Sequence, residues 1–298
     1  MKLSIIIPSF NTEKFLQKCL DSIVRETKNT SYEIIIIDNH SSYDIKKQIQ
    51  NFKNINIRLI QNSRNVGYSQ ANNQGIKQAA GDYFLFLNSD TVILNRAIDK
   101  TVDYLEKKQL DILGCQLLNK DMTIQPSAGF FPKLRQIFYM MFFLDDLPIL
   151  SDILKPYHQQ NKNFYTKDRE VDWVTGAFML VRRRVIDKIG AFDPDYFMYM
   201  EEVDFCYRAK KAGFKILYTP QAEIIHYKEA SPRQESEKAI LAEIKGLKIF
   251  FKKYKPSWEL PILSVLLKLG SLLRLLFFGI LMGNENKRIV YWQAFVLA

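Results

Sequence analysis

The chain has 298 residues, 47% of them hydrophobic and 25% charged, which excludes a disordered chain and allows one large core or two modest ones. Its three cysteines, Cys19, Cys115 and Cys206, are scattered and odd in number, which argues against a disulfide framework and for a reducing compartment. The net charge of +10 is lopsided: residues 207–298 hold 16 Lys plus Arg against 7 Asp plus Glu, so an anionic partner, nucleic acid or a membrane surface, is expected for that tail.

Lys2–Ile7 reads as a buried strand, with Pro8, Ser9, Phe10 and Asn11 following as loop because proline cannot donate to a ladder. The same apolar run is too short, and too soon cut by Pro8, for a secretory signal, so a cytoplasmic catalytic part is expected. A helix capped by Thr12 should carry Leu16, Leu20, Ile23 and Val24 on one face. Tyr32–Ile37 is a second strand ending in Asp38, Asn39, His40, Ser41 and Ser42. A helix at Asp44–Phe52, a strand at Ile55–Gln61, the Asn-rich stretch Asn62–Tyr68 with Gly67, and a helix at Ser69–Ala80 come next. Tyr83–Leu87 has the length and aromatic content of a fully buried strand, and it stops at Asn88, Ser89, Asp90 and Thr91. Ala97–Lys107 reads as a helix and Ile112–Leu118 as a strand. Strands alternating with helices at this pace predict an α/β fold, mostly parallel, with helices on both faces of the sheet.

Three strands ending in Asn or Asp clusters exceed what turn chemistry usually asks for. Ligands of open α/β sheets sit at the carboxyl ends of strands, so Asn88-x-Asp90 could hold a hydrated cation that holds a phosphate, or could simply be a turn. No G-x-G-x-x-G follows a strand and no G-x-x-x-x-G-K-[ST] occurs, so dinucleotide oxidoreductases and P-loop enzymes fit poorly.

From Pro126 to Tyr165 the chain turns aromatic, Met-rich and proline-broken, either a helical cover over the sheet or an acceptor-side lip meeting lipid. Val171–Arg184 reads as a loop entering a strand, with Gly176 permitting close approach, and Trp173 offering a flat face to a sugar or simply filling the core. Arg182–Arg184 reads as a solvated strand end. Glu201, Glu202 and Asp204 crowd three carboxylates before a helix, which is costly unless a cation, an Arg or a chemical task compensates. Asp204 and Arg208 have the spacing of a helical ion pair, and Glu201 could orient an acceptor or cap the helix. Lys215–Tyr218 and Ala222–Ile225 read as two short strands, the second closed by His226, structural or a metal ligand.

In the tail, Ser231 and Pro232 cap a helix with Ile240, Leu241, Ile244, Leu247, Phe250 and Phe251 on its apolar side and Lys245, Lys248, Lys252, Lys253 and Lys255 following, a membrane-surface pattern. Leu260–Met282 is mostly apolar but carries Lys268 and Arg274, so an in-plane or re-entrant helix is favoured over a span. The alternative is a bundle that packs on the catalytic part or dimerises; nucleic acid is disfavoured, because large aliphatic residues interleave the charges.

The segments SIIIPSFN at 4–11, DNHSSYD at 38–44, NVGYSQANNQG at 65–75 and FLNSDT at 86–91 resemble the successive signatures of family 2 inverting glycosyltransferases of the GT-A type, most closely the rhamnosyltransferase-like branch that builds bacterial surface polysaccharides. The resemblance runs to about residue 231 and implies a GT-A domain at 1–231, with a nucleotide-sugar half (1–120) and an acceptor half (121–231), followed by the helical tail at 232–298. It implies a nucleotide-sugar donor whose base and ribose lie near Pro8, Phe10 and Asp38, with Asn11, Asn65, Gly67, Asn73, Asn88 and Ser89 also on the donor side. The diphosphate would be held through Mg²⁺ or Mn²⁺ at Asp90, with His226 as a further ligand; Asn88 stands where many members have the first Asp of D-x-D. Glu202 falls at the position of the general base, and Trp173, Gly176, Glu201 and Asp204 on the acceptor side. The implied reaction moves rhamnose or another hexose to a polyprenyl-linked or growing glycan at the cytoplasmic face of the inner membrane, with a homodimer possible. A sugar nucleotidyltransferase and a non-catalytic glycan-binding scaffold are the alternatives.

Overall fold

Ile5, Ile6 and Ile7, and likewise Ile34 to Ile37, are buried on both faces of their strands, so these runs can only be central strands covered on two sides. The computed structural model describes residues 1–52, 54–145, 153–228 and 233–298. The first half runs β1 (Leu3–Ser9), α1 (Glu13–Glu26), β2 (Tyr32–Asp38), α2 (Ile45–Ile49), β3 (Ile57–Gln61), α3 (Tyr68–Gln78) and β4 (Tyr83–Leu87), with strands in the order β3-β2-β1-β4, all parallel. Beyond it lie β5 (Thr91–Ile93), α4 (Ala97–Lys107), β6 (Ile112–Leu118), β7 (Ile124–Gln125), β8 (Ala128–Gly129), α5 (Leu134–Met141), β9 (Arg169–Glu170), β10 (Trp173–Val174), β11 (Phe178–Arg182), α6 (Arg183–Ile189), α7 (Glu201–Lys211) and β12 (Ile216–His226). There β11 runs antiparallel between β4 and β6, β12 lies parallel to β6, and β5 closes the edge antiparallel to β12.

Period-2 alternation sorts the isoleucines into two cores. Ile5, Ile7, Ile34 and Ile36 meet Leu16, Leu20 and Ile23 of α1 and Ile98 and Val102 of α4 on one face. Ile6, Ile35 and Ile37 meet Ala71 of α3 and Phe205 of α7 on the other. Each of the three α1 side chains contributes roughly 1.5–3 kcal/mol by leaving water.

Several sequence expectations need correction. Pro8 belongs to β1 and pairs with Ile37, because β4 accompanies β1 only as far as Ile6 and the missing N–H faces no partner strand there. Thr12 precedes α1, but its hydroxyl bonds Ser9 and Ser89 instead of capping. The two short strands before His226 are one strand, irregular between Thr219 and Glu223 around Pro220. Of the Arg triplet only Arg184 is solvated, where it pairs with Asp111; Arg182 donates to the Leu110 and Leu105 carbonyls, and Arg183 donates to the Gly81 and Ala79 carbonyls and lies over Phe84.

The tail forms α8 (Arg233–Tyr254), α9 (Glu259–Arg274), which continues to Leu281 with π-type turns, and α10 (Glu285–Leu297). The expected caps Ser231 and Pro232 lie outside the described residues. Leu247, Phe250 and Phe251, expected to face a membrane, are buried in the same core as Phe205 and Tyr218. The lysines follow suit: Lys253 bridges Asp193 and Asp195, and Lys248 donates to the carbonyls of Leu297 and Ala298. Helix α9 packs on α5, so closely at Gly270 that a Cβ there would clash with Met141 Cε. Arg274 donates to the carbonyls of Met140 and Met141 and lies over the Phe143 ring, capping the end of α5. The opposite side of α9 and its continuation is apolar and exposed, with Val265, Leu269, Leu276, Phe277 and Ile280 at its surface.

Candidate active site

β4 ends where its neighbours do, and the turn after it is held against β12. The register pairs Thr91 with His226, and the Tyr227 N–H donates to the Asp90 carbonyl at 3.0 Å, so Asp90 and His226 share one corner at the carboxyl edge. His226 Nε2 lies 3.3 Å from Asp90 Oδ1 and 3.2 Å from Asn88 Nδ2, and both Asp90 and His226 are 8% exposed. The imidazole's proton has a defined place. Gln125 Nε2 donates to Asn119 Oδ1 at 2.7 Å and to the His226 carbonyl at 3.0 Å, which leaves its Oε1 to accept from His226 Nδ1 at 2.7 Å. Nδ1 therefore carries a hydrogen, and in the neutral ring Nε2 presents its lone pair beside the Asp90 carboxylate and the Asn88 amide. Two lone-pair groups aimed at each other suit a shared divalent cation, the nitrogen-oxygen set that Mn²⁺ or Mg²⁺ accepts. Among the described residues no third His, Cys, Asp or Glu joins them, so phosphate oxygens and water would complete the coordination.

The donor-side residues divide. Asn11 (φ +56°) accepts from the Ser42 N–H and hydroxyl, and Asp38 accepts from the Ser41 N–H and from Gln61, so β1 and β2 present one polar rim beside exposed Phe10. Pro8 lies one pair inside that rim. Ser89 is buried and accepts from Thr12. Asn65 accepts from the N–H of Gly67, whose φ of +86° and 2.5 Å Cβ approach to the Phe197 carbonyl admit only glycine. Asn73 is not free for a donor: its amide clamps both backbone groups of Phe192.

Helix α7 begins after two left-handed residues, Tyr199 (φ +67°) and Met200 (φ +73°), which turn the chain and set Glu201 and Glu202 in the first helical turn. Both have a buried Oε2 without a partner. Burial, and then Glu202, push Glu201 far above the carboxylate range, and burial raises Glu202 to about 7. Tyr68 of α3 donates its hydroxyl to the Gly176 carbonyl at 2.8 Å. Burial drives its phenol up, and Glu201, Glu202 and Asp90 each push further.

Two acceptor-side expectations fail. Asp204 is fully buried, with Oδ2 on Arg208 Nε at 2.8 Å and Oδ1 accepting from Tyr254 at 2.7 Å, so it fastens α8 to α7. Trp173 is 5% exposed, bonded to the Tyr157 carbonyl and enclosed by Tyr157 and His158, leaving no face for a sugar. Gly176 does permit close approach, of the Tyr68 hydroxyl. Gln125, Tyr68, His158 and Glu243 escape sequence reasoning: their types are ordinary, and pairing over gaps of 101 residues (Gln125 and His226) or 85 residues (His158 and Glu243) has no local signature.

The family described as Glycosyl transferase family 2 matches residues 4–190. N-acetylglucosaminyl-diphospho-decaprenol L-rhamnosyltransferase of Mycobacterium tuberculosis is 27% identical over 276 residues, covering 86% of each chain. Rhamnosyltransferase WbbL of Escherichia coli is 28% identical over 255 residues, covering 81% of this chain and 89% of its own. The structure of S. aureus TarS 1-349 in complex with UDP-GlcNAc shares the fold, with a TM-score of 0.56 and 16% identity over 98% of this chain and 90% of that one.

Proposed function

The chain belongs to glycosyl transferase family 2, and from that premise we propose that it is a metal-dependent inverting transferase that moves rhamnose, or another hexose, from a nucleotide sugar to a lipid-linked glycan in surface-polysaccharide synthesis. The observations that carry the reading are the polar corner at the carboxyl edge of the sheet, with His226 Nε2 3.3 Å from Asp90 Oδ1, and the two carboxyls at the start of α7, Glu201 and Glu202, each with a buried oxygen without a partner. The names of the two rhamnosyltransferase relatives, one of them acting on a diphospho-decaprenol, favour this sugar and this acceptor class.

Glu202 is the base. Its carboxylate takes the acceptor hydroxyl's proton as that oxygen attacks the anomeric carbon. The anomeric C–O bond breaks on the opposite face, and its electron pair leaves with the nucleoside diphosphate. Asp90 and His226 would hold a divalent ion, whose positive charge would neutralise that diphosphate. Burial of Glu202 serves the step, because a base with a proton affinity near neutrality accepts a proton readily yet is substantially ionised at pH 7.

The exposed face of α9 supports peripheral attachment to the cytoplasmic side of the inner membrane. The segment Glu259–Leu281 is long and apolar enough to cross a bilayer by length and composition. Its Leu263, Leu267 and Gly270 nevertheless pack on the catalytic domain, which favours a helix lying in the interface.

The reading is tested by donor turnover in purified Asp90→Ala and Glu202→Gln with the anomeric configuration of the product followed by NMR. Loss of turnover in both and an inverted product are expected. Unchanged turnover in either, a retained configuration, or release of pyrophosphate instead of nucleoside diphosphate would refute it.

A further inference from the structure

The chain between Phe192 and Met200 is pinned along its length. Asn73 of α3 binds both backbone groups of Phe192, at 2.7 and 2.9 Å, and Lys253 of α8 holds Asp193 and Asp195. The Tyr68 N–H donates to the Phe197 carbonyl at 2.7 Å. Phe192, Tyr196 and Met200 are buried, the first with its ring against Phe86 and Phe205 at 4.8 and 4.9 Å. Between these anchors Phe197, Met198 and Tyr199 stand at the surface, and Phe197 is 56% exposed. A mobile loop can fold such side chains away from water; one fastened this firmly holds them out. An apolar patch held out in this way marks a contact site.

Its surroundings say what it contacts. Phe197 packs on Gly67, where a Cβ would lie 2.7 Å from the ring's Cδ2 as well as 2.5 Å from the carbonyl. The Gly67 carbonyl accepts from Asn39 Nδ2 at 3.3 Å, and the Asn39 N–H donates to the Ser9 carbonyl at 2.8 Å. Through these bonds the Phe197 ring borders the polar rim at the ends of β1 and β2. In the other direction the chain runs into the carboxyl pair. Glu201 is four residues on, which limits the separation of the two Cα atoms to about 14 Å, and the left-handed Tyr199 and Met200 bend the path between them. Phe197 therefore stands between the rim on which a nucleotide would rest and the helix start that carries Glu202. One face of a pyranose ring is mostly C–H bonds, and the flat face of an aromatic ring covers it while leaving the hydroxyls to polar partners. Trp173 is too enclosed to do this; Phe197 is not.

We infer that Phe197 is the platform for the transferred hexose: its exposed ring lies against the C–H face of the donor's sugar and holds that sugar between the rim and the start of α7. The inference rests on the chain's using a nucleotide-sugar donor. It makes Phe197 a specificity residue that recognises the sugar and not the nucleotide.

The test is calorimetric binding, in the presence of Mn²⁺, of nucleotide sugars carrying rhamnose, glucose or galactose, each beside its own nucleoside diphosphate. The full-length wild type is compared with Phe197→Ala, Phe197→Leu and Phe197→Tyr. For the nucleotide sugar that the wild type binds best, Phe197→Ala should weaken binding about fivefold or more and leave binding of the nucleoside diphosphate unchanged. Phe197→Tyr keeps the flat face and should match the wild type, while Phe197→Leu keeps apolar bulk alone and should fall between. The group that Tyr68 binds is a backbone carbonyl, which every variant supplies, so the melting temperature should hold. Should Phe197→Ala fail to fold, the contrast between the leucine and tyrosine variants still decides. Equal losses for the nucleotide sugar and its nucleoside diphosphate, or no loss of either in the alanine and leucine variants, would overturn the inference. So would a raised KM for the acceptor, or weaker binding to anionic vesicles, with donor binding unchanged, since the ring would then face the acceptor or lipid. A wild type that binds none of the nucleotide sugars would sink the donor reading and the inference with it.

Discussion

Gln125→Leu removes one acceptor from the far side of the cation corner while nearly keeping the side chain's volume. Gln125 is 2% exposed, and its Oε1 takes the His226 Nδ1 hydrogen at 2.7 Å. Without it the ring loses what fixes its tautomer and angle, and a partner of this kind is worth roughly 10- to 100-fold in metal affinity, or about 1.4 to 2.8 kcal/mol at 1.4 kcal/mol per tenfold. The apo fold should lose about 1–3 kcal/mol as well, because the Nδ1 hydrogen is left buried and unpaired. Calorimetric titration of Mn²⁺ in the presence of a nucleoside diphosphate would be compared among wild type, Gln125→Leu, His226→Ala and the double variant. If Gln125 acts through His226, its replacement costs nothing more once His226 is gone. An affinity within threefold of wild type, or losses that add in the double variant, would refute the argument.

Four other outcomes are expected. As Glu202 is raised to about 7 and works ionised, wild-type kcat/KM should fall as pH drops below about 7; a profile flat down to pH 5 would contradict the assignment. Asp204→Asn leaves Arg208 short of its buried counter-charge and should lower unfolding free energy in urea by about 3 kcal/mol, a loss under about 1 kcal/mol counting against the fastening role. Gly67→Ala must place a Cβ 2.5 Å from the Phe197 carbonyl at a φ of +86°, so a loss of about 1–3 kcal/mol in the same assay is expected. Paired Leu276→Asp and Ile280→Asp, both on the exposed face, should cut cosedimentation with anionic vesicles at least tenfold while leaving the melting temperature in place, and equal binding would exclude this face as the membrane contact.

Much of the catalytic domain is legible in order because its signals are local. Two buried isoleucine runs, helices with apolar residues three and four apart, and polar clusters at strand ends follow from backbone periodicity alone. That regularity placed Ala97–Lys107 and Ile112–Leu118 to the residue and marked Asp90 and Glu202 as chemically unusual before any geometry was known. The spacing of Asp204 and Arg208 read correctly as an ion pair, whereas the ligand-side roles that the resemblance implied for Asp204, Trp173 and Asn73 fall on side chains that packing commits to Arg208 and Tyr254, to the Tyr157 carbonyl and to the backbone of Phe192.

Local pattern also made the tail amphipathic and basic, but it could not say which way each face would turn. Phe250 and Phe251 went inward, Lys253 found Asp193 and Asp195, and the lipid-like surface passed to the next helix. An apolar stripe reports that something must cover it and carries no label for what. The sequence by itself therefore determined the alternation of long strands and helices from β1 to β4 with α4 and β6 beyond, the polar strand ends and the acidic residues at the start of α7. Tertiary structure alone decided that Gln125 aims His226 at Asp90 and that Glu243 brings the tail to His158, because such partners meet only once the sheet and its covering helices have closed.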